Sequence, residues 1–242
     1  MKRVTSATRI TLAGLALWFA MVGCGLSTTS VNEVRTESQS ANLESATSAN
    51  VLIDFPAGEL KVQSGASNLM DASFRYNVDG WQPQVNYSEN GAQGELVLSQ
   101  PGDDKVPVGG QLINEWEIQL GENIPMDLVI RTAAGNSQLN VGGLDINLLT
   151  VEAGTGVTNV NLDGAWQHDV RVIIRGGVGE ITVNLPAAMG VRVEMETGLA
   201  SVTADGLIED DNGYVNQAFG TAPHTLTLKL ETGLGSVVLV SP

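Results

Sequence analysis

The sequence predicts an all-β protein, a layered β-solenoid-like stack of glycine-cornered strand repeats with an inserted antiparallel meander, and three observations predict it. The first is strict alternation. Val191, Val193 and Met195 alternate with Arg192, Glu194 and Glu196, and Leu226, Leu228 and Leu230 alternate with Thr227, Lys229 and Glu231. A period of two marks half-buried strands with one wet face. The second is composition: glycine is abundant at 28 residues, aromatics make up only 5%, and no stretch carries a 3.6-residue apolar period. The third is an internal repeat. Gly177-Val-Gly-Glu-Ile-Thr-Val183, Gly198-Leu-Ala-Ser-Val-Thr-Ala204 and Gly233-Leu-Gly-Ser-Val-Val-Leu239 superpose without a gap.

Further copies extend the series. Gly135-Asn-Ser-Gln-Leu-Asn-Val141 fits the frame with Ser137 as its small residue, and a looser copy lies at Gly154-Thr-Gly-Val-Thr-Asn-Val160. Ala57-Gly58-Glu59-Leu60 fits with Pro56 in the place of the first glycine. An alternating apolar strand precedes each copy, as at Val170, Val172 and Ile174. The unit therefore reads as strand, tight glycine corner, strand, with glycine allowing a positive φ or a close backbone approach. From Gly135 onward the repeat glycines stand 19, 23, 21 and 35 residues apart. A unit of this size holds two strands and two turns, and units must stack to bury their apolar stripes.

Two insertions interrupt the series within a β domain spanning residues 50–242. Residues 61–127 contain Tyr76, Trp81, Tyr87 and Trp116, with the hairpin signal Asn90-Gly91 between Val85/Tyr87 and Leu96/Leu98. They read as a small antiparallel meander, with Pro101 to Gly110 as a mobile loop. Residues 208–223 depart from the strand pattern and are expected to loop off the stack.

The amino end has the form of an export signal. Lys2, Arg3 and Arg9 precede an apolar run of 13 residues, Ile10 to Val22. As a helix this run is about 20 Å long, short of the ~30 Å hydrocarbon core. It closes on Met21-Val22-Gly23-Cys24, which resembles the lipobox of bacterial lipoproteins, although Leu and a small residue usually stand where Met21 and Val22 do. The resemblance implies a signal peptide at 1–23 and a lipid on Cys24, the chain's one cysteine. Residues 24–49, rich in Ser, Thr, Asn and Glu, are expected to form a flexible tether. Without residues 1–23 the chain keeps nine of its 12 basic residues against all 27 acidic ones, a net charge of −18. Such a surface repels nucleic acid and anionic lipid headgroups.

From about Val51 to Val240 the exported body resembles the bacterial toast-rack domain proteins, related to the LiaF-like cell-wall-active antibiotic response proteins. The residues that carry the likeness are Ala57-Gly58-Glu59-Leu60, Asn114-Glu-Trp-Glu-Ile-Gln-Leu120 with Ile124-Pro125, Gly177-Val-Gly-Glu-Ile-Thr-Val-Asn-Leu-Pro186 and Tyr214-Val-Asn-Gln-Ala-Phe-Gly220. The resemblance implies a layered β-structure at the cell surface, and a role for some relatives in envelope-stress signalling through a membrane sensor kinase. It brings no catalytic residues with it, and this chain lacks the several membrane spans of the signalling relatives.

The residues point to no catalytic centre, cofactor or metal site. His168 and His224 lie 56 residues apart, and no nucleophile-elbow signature accompanies them. Glu209-Asp210-Asp211-Asn212-Gly213 lacks the alternate acids and distal Glu of a calcium loop, so it reads as a solvated acidic loop, as does Asp103-Asp104. Gly154-Thr-Gly and Gly176-Gly-Val-Gly look like phosphate-loop fragments but precede no helix. Trp81 and Trp116 are candidates for a sugar-stacking face. Val238 and Val240 break the alternation of the last strand and are candidates for an exposed, self-associating edge. The expectation is a non-catalytic, lipid-anchored envelope protein on the extracytoplasmic side of the cell membrane or outer membrane. It presents its β-stack for protein contact in adhesion or envelope-stress response, with a membrane sensor, another envelope protein or its own copy as partner. The alternative is an envelope glycan-binding lipoprotein.

Overall fold

Six long strands carry the repeat: β2 (Ser48–Ala66), β8 (Met126–Asn140), β9 (Ile146–Asn161), β10 (Val170–Asn184), β11 (Gly190–Asp205) and β14 (Thr225–Val240). They lie parallel, in the spatial order β2-β8-β9-β10-β14-β11, in a computed structural model that describes residues 28–102 and 105–242. The export signal, Cys24 and Asp103-Asp104 fall outside the described residues. A straight strand of 15 residues would be about 50 Å long. The end of β8 is joined to the start of β9 by residues 141–145 alone, which reach no further than about 20 Å. Each long strand must therefore fold back on itself, and the side-chain parity shows where. Val170, Val172 and Ile174 are buried at even positions, Ile181 and Val183 at odd ones, and all belong to one core cluster. The parity switches at the glycine corner, so both legs of each strand point their apolar residues into the space between them. The two legs of β2 take different partners as a result. Ser48–Asp54 pairs with β5 (Gln93–Ser99), and Glu59–Ala66 with β7 (Asn114–Gly121).

The corners stack into a column. Gly58, Gly135, Gly156, Gly179 and Gly235 lie in register on neighbouring strands, with Ala200 opposite Gly235 on the last one. At Gly156 φ is +132°, and a Cβ there would stand 1.9 Å from the Gly135 carbonyl oxygen. Each rung occupies the space that the next rung's side chain would need, so the column admits only glycine along its interior. Ala200, opposite Gly235 on the last long strand, does not adopt the positive φ of the column glycines, so its Cβ is accommodated there. The frame read from sequence holds for Gly58, Gly179, Ala200 and Gly235. It is off by two residues at Gly135, which is the second small residue of its corner, with Ala133 facing Gly154 and Ser137 facing Thr158.

The 61–127 insertion divides in two around the legs of β2. β4 (Gln84–Asn90) and β5 form the expected hairpin, with Gly91 at φ +65°. It extends the first-leg sheet. β3 (Met70–Val78) runs antiparallel to β7 and extends the second-leg sheet. Residues 61–66 are part of β2, and β5 and β7 both join β2 in parallel, so the insertion is not wholly an antiparallel meander.

The tether reading is corrected at residues 28–41. They form β1 (Thr28–Ala41), antiparallel to β3 from Arg35↔Tyr76 to Ala41↔Met70. Its Ser and Thr residues suit a pleated, half-wet surface once a partner strand satisfies the backbone. Arg35 pairs with Asp79 at 2.6 Å, and the Ser40 hydroxyl donates to Asp71 at 2.6 Å. Within the 101–110 loop, β6 (Val106–Val108) pairs in parallel with Thr28–Ser30.

The last strand is placed unexpectedly. β14 lies between β10 and β11, paired along its length with both. Val238 stands opposite Thr182 on one side and Thr203 on the other. Val238 and Val240 do face away from buried Val237 and Leu239, and they are half-buried. They are not at an edge, because a strand inserted between two others has none to offer. The 208–223 insertion contributes β12 (Ile208–Asp210) and β13 (Gly213–Val215), a short hairpin that meets β11 at Arg192 and Val193 only.

Candidate interaction surface

The two tryptophans do not make a common face. Trp116 is fully buried, its ring 5.1 Å from those of both Phe55 and Phe74, so it is a core anchor and cannot stack on a sugar. The parity of Trp116, Ile118 and Leu120 on β7 was the signal for this. Trp81 is half-buried in the 3₁₀ turn Asp79–Trp81 and packs against the same core. Beside it, the Tyr76 hydroxyl donates to the Glu37 carboxylate, which also accepts from Gln82 Nε2 at 3.2 Å. Burial and that acidic partner push the Tyr76 hydroxyl up to about 12. The aromatic region thus fastens β1 to the stack.

The histidines, far apart in sequence, meet on neighbouring rungs, because β10 and β14 pair with Val170 opposite Leu226. His168 Nε2 lies 2.7 Å from Asp145 Oδ1 and Nδ1 lies 2.9 Å from the Asp169 carbonyl oxygen. Both partners only accept, so the ring satisfies them fully when both nitrogens carry protons. The backbone contact first, then the Asp145 carboxylate, raise its pKa above the usual 6.5. His224 Nδ1 lies 3.9 Å from Asp169, whose carboxylate accepts from the Thr225 amide at 2.8 Å. This is a clasp between return loops, with no nucleophile in it. A folded-state pKa above the unfolded one means stabilisation that is complete below pH 6.5 and lost as pH rises through the folded value. His168→Gln is therefore expected to lower the thermal midpoint at pH 5.5 and to narrow its gap from wild type as pH rises past 6.5. Midpoints measured across that range check this, and a gap that does not change with pH would refute the clasp.

The acidic hairpin is also committed. Asp210 accepts from Arg192 Nη2 at 3.0 Å and from the Asn212 amide at 3.0 Å. The Arg192 guanidinium lies 4.6 Å over the Phe219 ring. Buried Asn216 accepts from the Val191 amide at 2.9 Å and donates to the Met189 carbonyl at 2.8 Å. The segment Tyr214–Gly220 thus fixes the insertion to the first leg of β11. Among the described residues, no group of three or more His, Cys, Asp or Glu is placed to hold a metal ion. The Gly154 and Gly176–Gly179 segments are strand corners, as their sequence context implied.

One outer face carries organised charge that the sequence reading missed. Asp54, Arg131, Glu152, Arg175, Glu231 and Glu196 stand in register across the six long strands, each four residues before its corner position. Arg131 Nε reaches Glu152 at 3.0 Å, Arg175 reaches Glu152 at 3.4 Å and Glu231 at 3.2 Å, and Lys229 Nζ bridges Glu231 at 2.9 Å and Glu196 at 3.3 Å. Lys229 holds the Glu231 carboxyl below the ordinary carboxylate range. Opposite charges facing across strands favour this register over slipped ones. The constant offset from the corner was the signal that would have found the row. On the second-leg face, β1, β3, β7 and β2 line a shallow depression of about 440 Å³ whose charged groups are already paired, Lys61 with Glu117 at 2.9 Å and Asp71 with the Ser40 hydroxyl at 2.6 Å.

The described molecule is therefore a layered stack whose polar side chains mostly hold strand to strand. No described helix is long and apolar enough to cross a membrane. Comparison with known proteins gives three findings. The profile described as the N-terminal domain of toast_rack, DUF2154, matches residues 30–184, starting inside β1. A solved structure from Clostridium sporogenes, provisionally described as a cell adhesion protein, is 28% identical, with a TM-score of 0.83 over 87% of this chain and 100% of its own. Structures provisionally described as adhesins, from Bacteroides fragilis (14% identical, 86% of this chain and 97% of their own, TM-score 0.36) and Parabacteroides distasonis (12%, 88% and 100%, TM-score 0.28), are much more distant. Among curated proteins there is no match.

Proposed function

Since this chain belongs to the toast-rack family, we propose that it is a non-catalytic cell-surface protein, lipid-anchored through Cys24, that presents its strand stack to other proteins in adhesion or envelope-stress response. One observation carries the reading: the fold corresponds over the whole length of the Clostridium sporogenes protein, at 28% identity, and that protein is provisionally described as acting in cell adhesion. The export signal ending in Gly23-Cys24 supports the anchor, and two or more acyl chains on the cysteine would hold stably where one binds marginally. The packed tryptophan and the committed histidines and acids leave the outer faces, not a cleft, as the working surface. With Trp116 in the core, glycan stacking on the Trp81/Trp116 pair is set aside.

The test is fatty-acid labelling and surface cross-linking on intact cells, with Cys24→Ala as control. The wild type is expected to incorporate label and stay with the membrane, and the variant to lose both. Label-independent retention would overturn the anchor. A stoichiometric membrane sensor among the cross-linked partners would assign the stress role, and a partner on another cell or surface the adhesive one.

A further inference from the structure

A lipid on Cys24 would leave this fold on a fixed side. Tyr76 pairs with Arg35 of β1 and with Asn114 of β7, and the Asn114 carbonyl oxygen lies against the Gly58 corner, 2.1 Å from where a Cβ would stand. Arg35 is thus level with the corners, and Thr28–Val34 runs on past them. Val31 pairs with Val78, two residues beyond Tyr76, and Thr28 lies three residues further. Those five residues carry the start of β1 about 17 Å past the corner level. The link from Cys24 to Thr28 spans no more than about 14 Å, whatever its path. Cys24 therefore stays on the corner side, away from the return loops that join one long strand to the next. We propose that the corner side of the stack is seated on the bilayer that holds the lipid, with the return loops facing outward. This seat presupposes the lipid on Cys24 proposed above.

Apolar side chains mark the seat at two places. On the projecting tip, β6 pairs with Thr28–Ser30, and its alternate residues Val106 and Val108 share one face, 47% and 48% exposed. Along the corners, Ala57, Ala134, Thr155, Val178, Leu234 and Leu199 lie in register on the six long strands. This row is uncharged. Its side chains are small near β1 and large at the far end, where Val178, Leu234 and Leu199 are 51%, 48% and 82% exposed. A plane resting on the tip clears the near corners and meets the far ones, which is where the large residues stand. On the opposite side, the return loops carry Glu122, Asp145, Asp163 and Asp169.

The covalent link selects the occupant, because a surface held this close to a bilayer by its own lipid has that bilayer as its standing neighbour. Charge agrees with it. The chain carries a net charge of −15, which keeps its acidic surfaces away from anionic headgroups. Leu234 and Leu199 are flanked by Thr232–Val240 and Thr197–Ala204, which carry no charge, so these corners approach a headgroup layer without that penalty. Exposed apolar groups of this kind mark contact sites, membranes included.

The lipid would occupy the chain's one cysteine, so an added cysteine is a unique labelling site. The mature lipidated chain is placed in phosphatidylcholine vesicles containing nitroxide-labelled lipid, with an environment-sensitive fluorophore on Val108→Cys, Leu199→Cys or, as the return-loop control, Ala187→Cys. The labels at 108 and 199 are expected to be quenched on the order of fivefold more than the label at 187, as for groups about 5–10 Å into the headgroup boundary. Leu199→Glu with Leu234→Glu, both at exposed positions, is expected to cut quenching of a label at Val178→Cys at least threefold, with the thermal midpoint unchanged. Mass spectrometry of the same samples reads the acyl groups on Cys24. A lipidated chain whose 199 label is quenched no more than its 187 label overturns the seat and leaves the anchor standing. So does a 199 label that is blue-shifted but not quenched by lipid, since protein would then cover the corners. A chain without acyl groups on Cys24 overturns the anchor and the seat together.

Discussion

Gly156→Ala is expected to cost about 3–5 kcal/mol of folding stability, enough to unfold much of the protein at moderate temperature. Two effects combine there. The backbone sits at φ +132°, where an L side chain is strained, and the new Cβ would lie 1.9 Å from the Gly135 carbonyl oxygen. The neighbouring rung cannot retreat, because the same carbonyl belongs to a strand hydrogen-bonded on both sides. Two comparisons isolate the cause. Gly91→Ala, at φ +65° with open space around it, is expected to cost only about 1 kcal/mol. Ala200→Gly, in register with the column but at its outer end, is expected to change stability by less than about 1 kcal/mol. Urea denaturation followed by circular dichroism measures all three. Equal effects at Gly156 and Gly91 would mean that steric stacking of corners contributes nothing beyond local backbone strain.

The second large effect belongs to Trp116. Trp116→Ala is expected to destabilise by about 3–5 kcal/mol, because the largest fully buried side chain leaves a cavity between Phe55 and Phe74. Trp116→Phe is expected to recover a large part of the loss. The indole Nε1 has no hydrogen-bond partner among the described residues, so the ring contributes through volume and stacking rather than through its N–H. Thermal melts of both variants, read beside binding of cell-wall fragments to the wild type, check the assignment. A Trp116→Ala protein that melts like wild type and loses glycan binding would return the tryptophan to the surface.

The parts of the fold that show in the sequence are those set by local periodicity. Alternation at Val170/Val172/Ile174 and again at Ile181/Val183 marks two legs, and the glycines between them mark the turn. Gly58, Gly179 and Gly235 could be aligned by eye because each is preceded by a small residue or Pro56 at the same offset. Gly135 was misaligned by two because Ala133 and Ala134 are small as well, and only backbone pairing distinguishes the rung that has no room. β1 was invisible for a different reason. Its polar Ser/Thr/Glu composition is that of a coil until β3 supplies the ladder, and partnership with a strand beginning at Met70 leaves no local trace. The edge was misplaced because chain order and spatial order differ. Val238 and Val240 carry the right facing but say nothing of which strands flank them. The candidate site fared less well than the fold for the same reason: His168 and His224 look unrelated until the register of β10 against β14 makes them neighbours.

The place of β14 between β10 and β11 also bears on how the chain assembles as it is made. Synthesis delivers β11 before residues 206–224 and β14 exist, so for that interval β10 has no successor but β11. The two share the same corner frame, Gly179 on one and Ala200 on the other, and the same alternation around it, which makes their direct pairing a well-matched trap rather than a random error. The native order is reached only if β11 stays undocked until β14 has been made, or if an early β10–β11 pairing reopens to admit it. β11 therefore takes its native place only once β14 has been made, and the arrival of β14 is the step that commits this end of the stack.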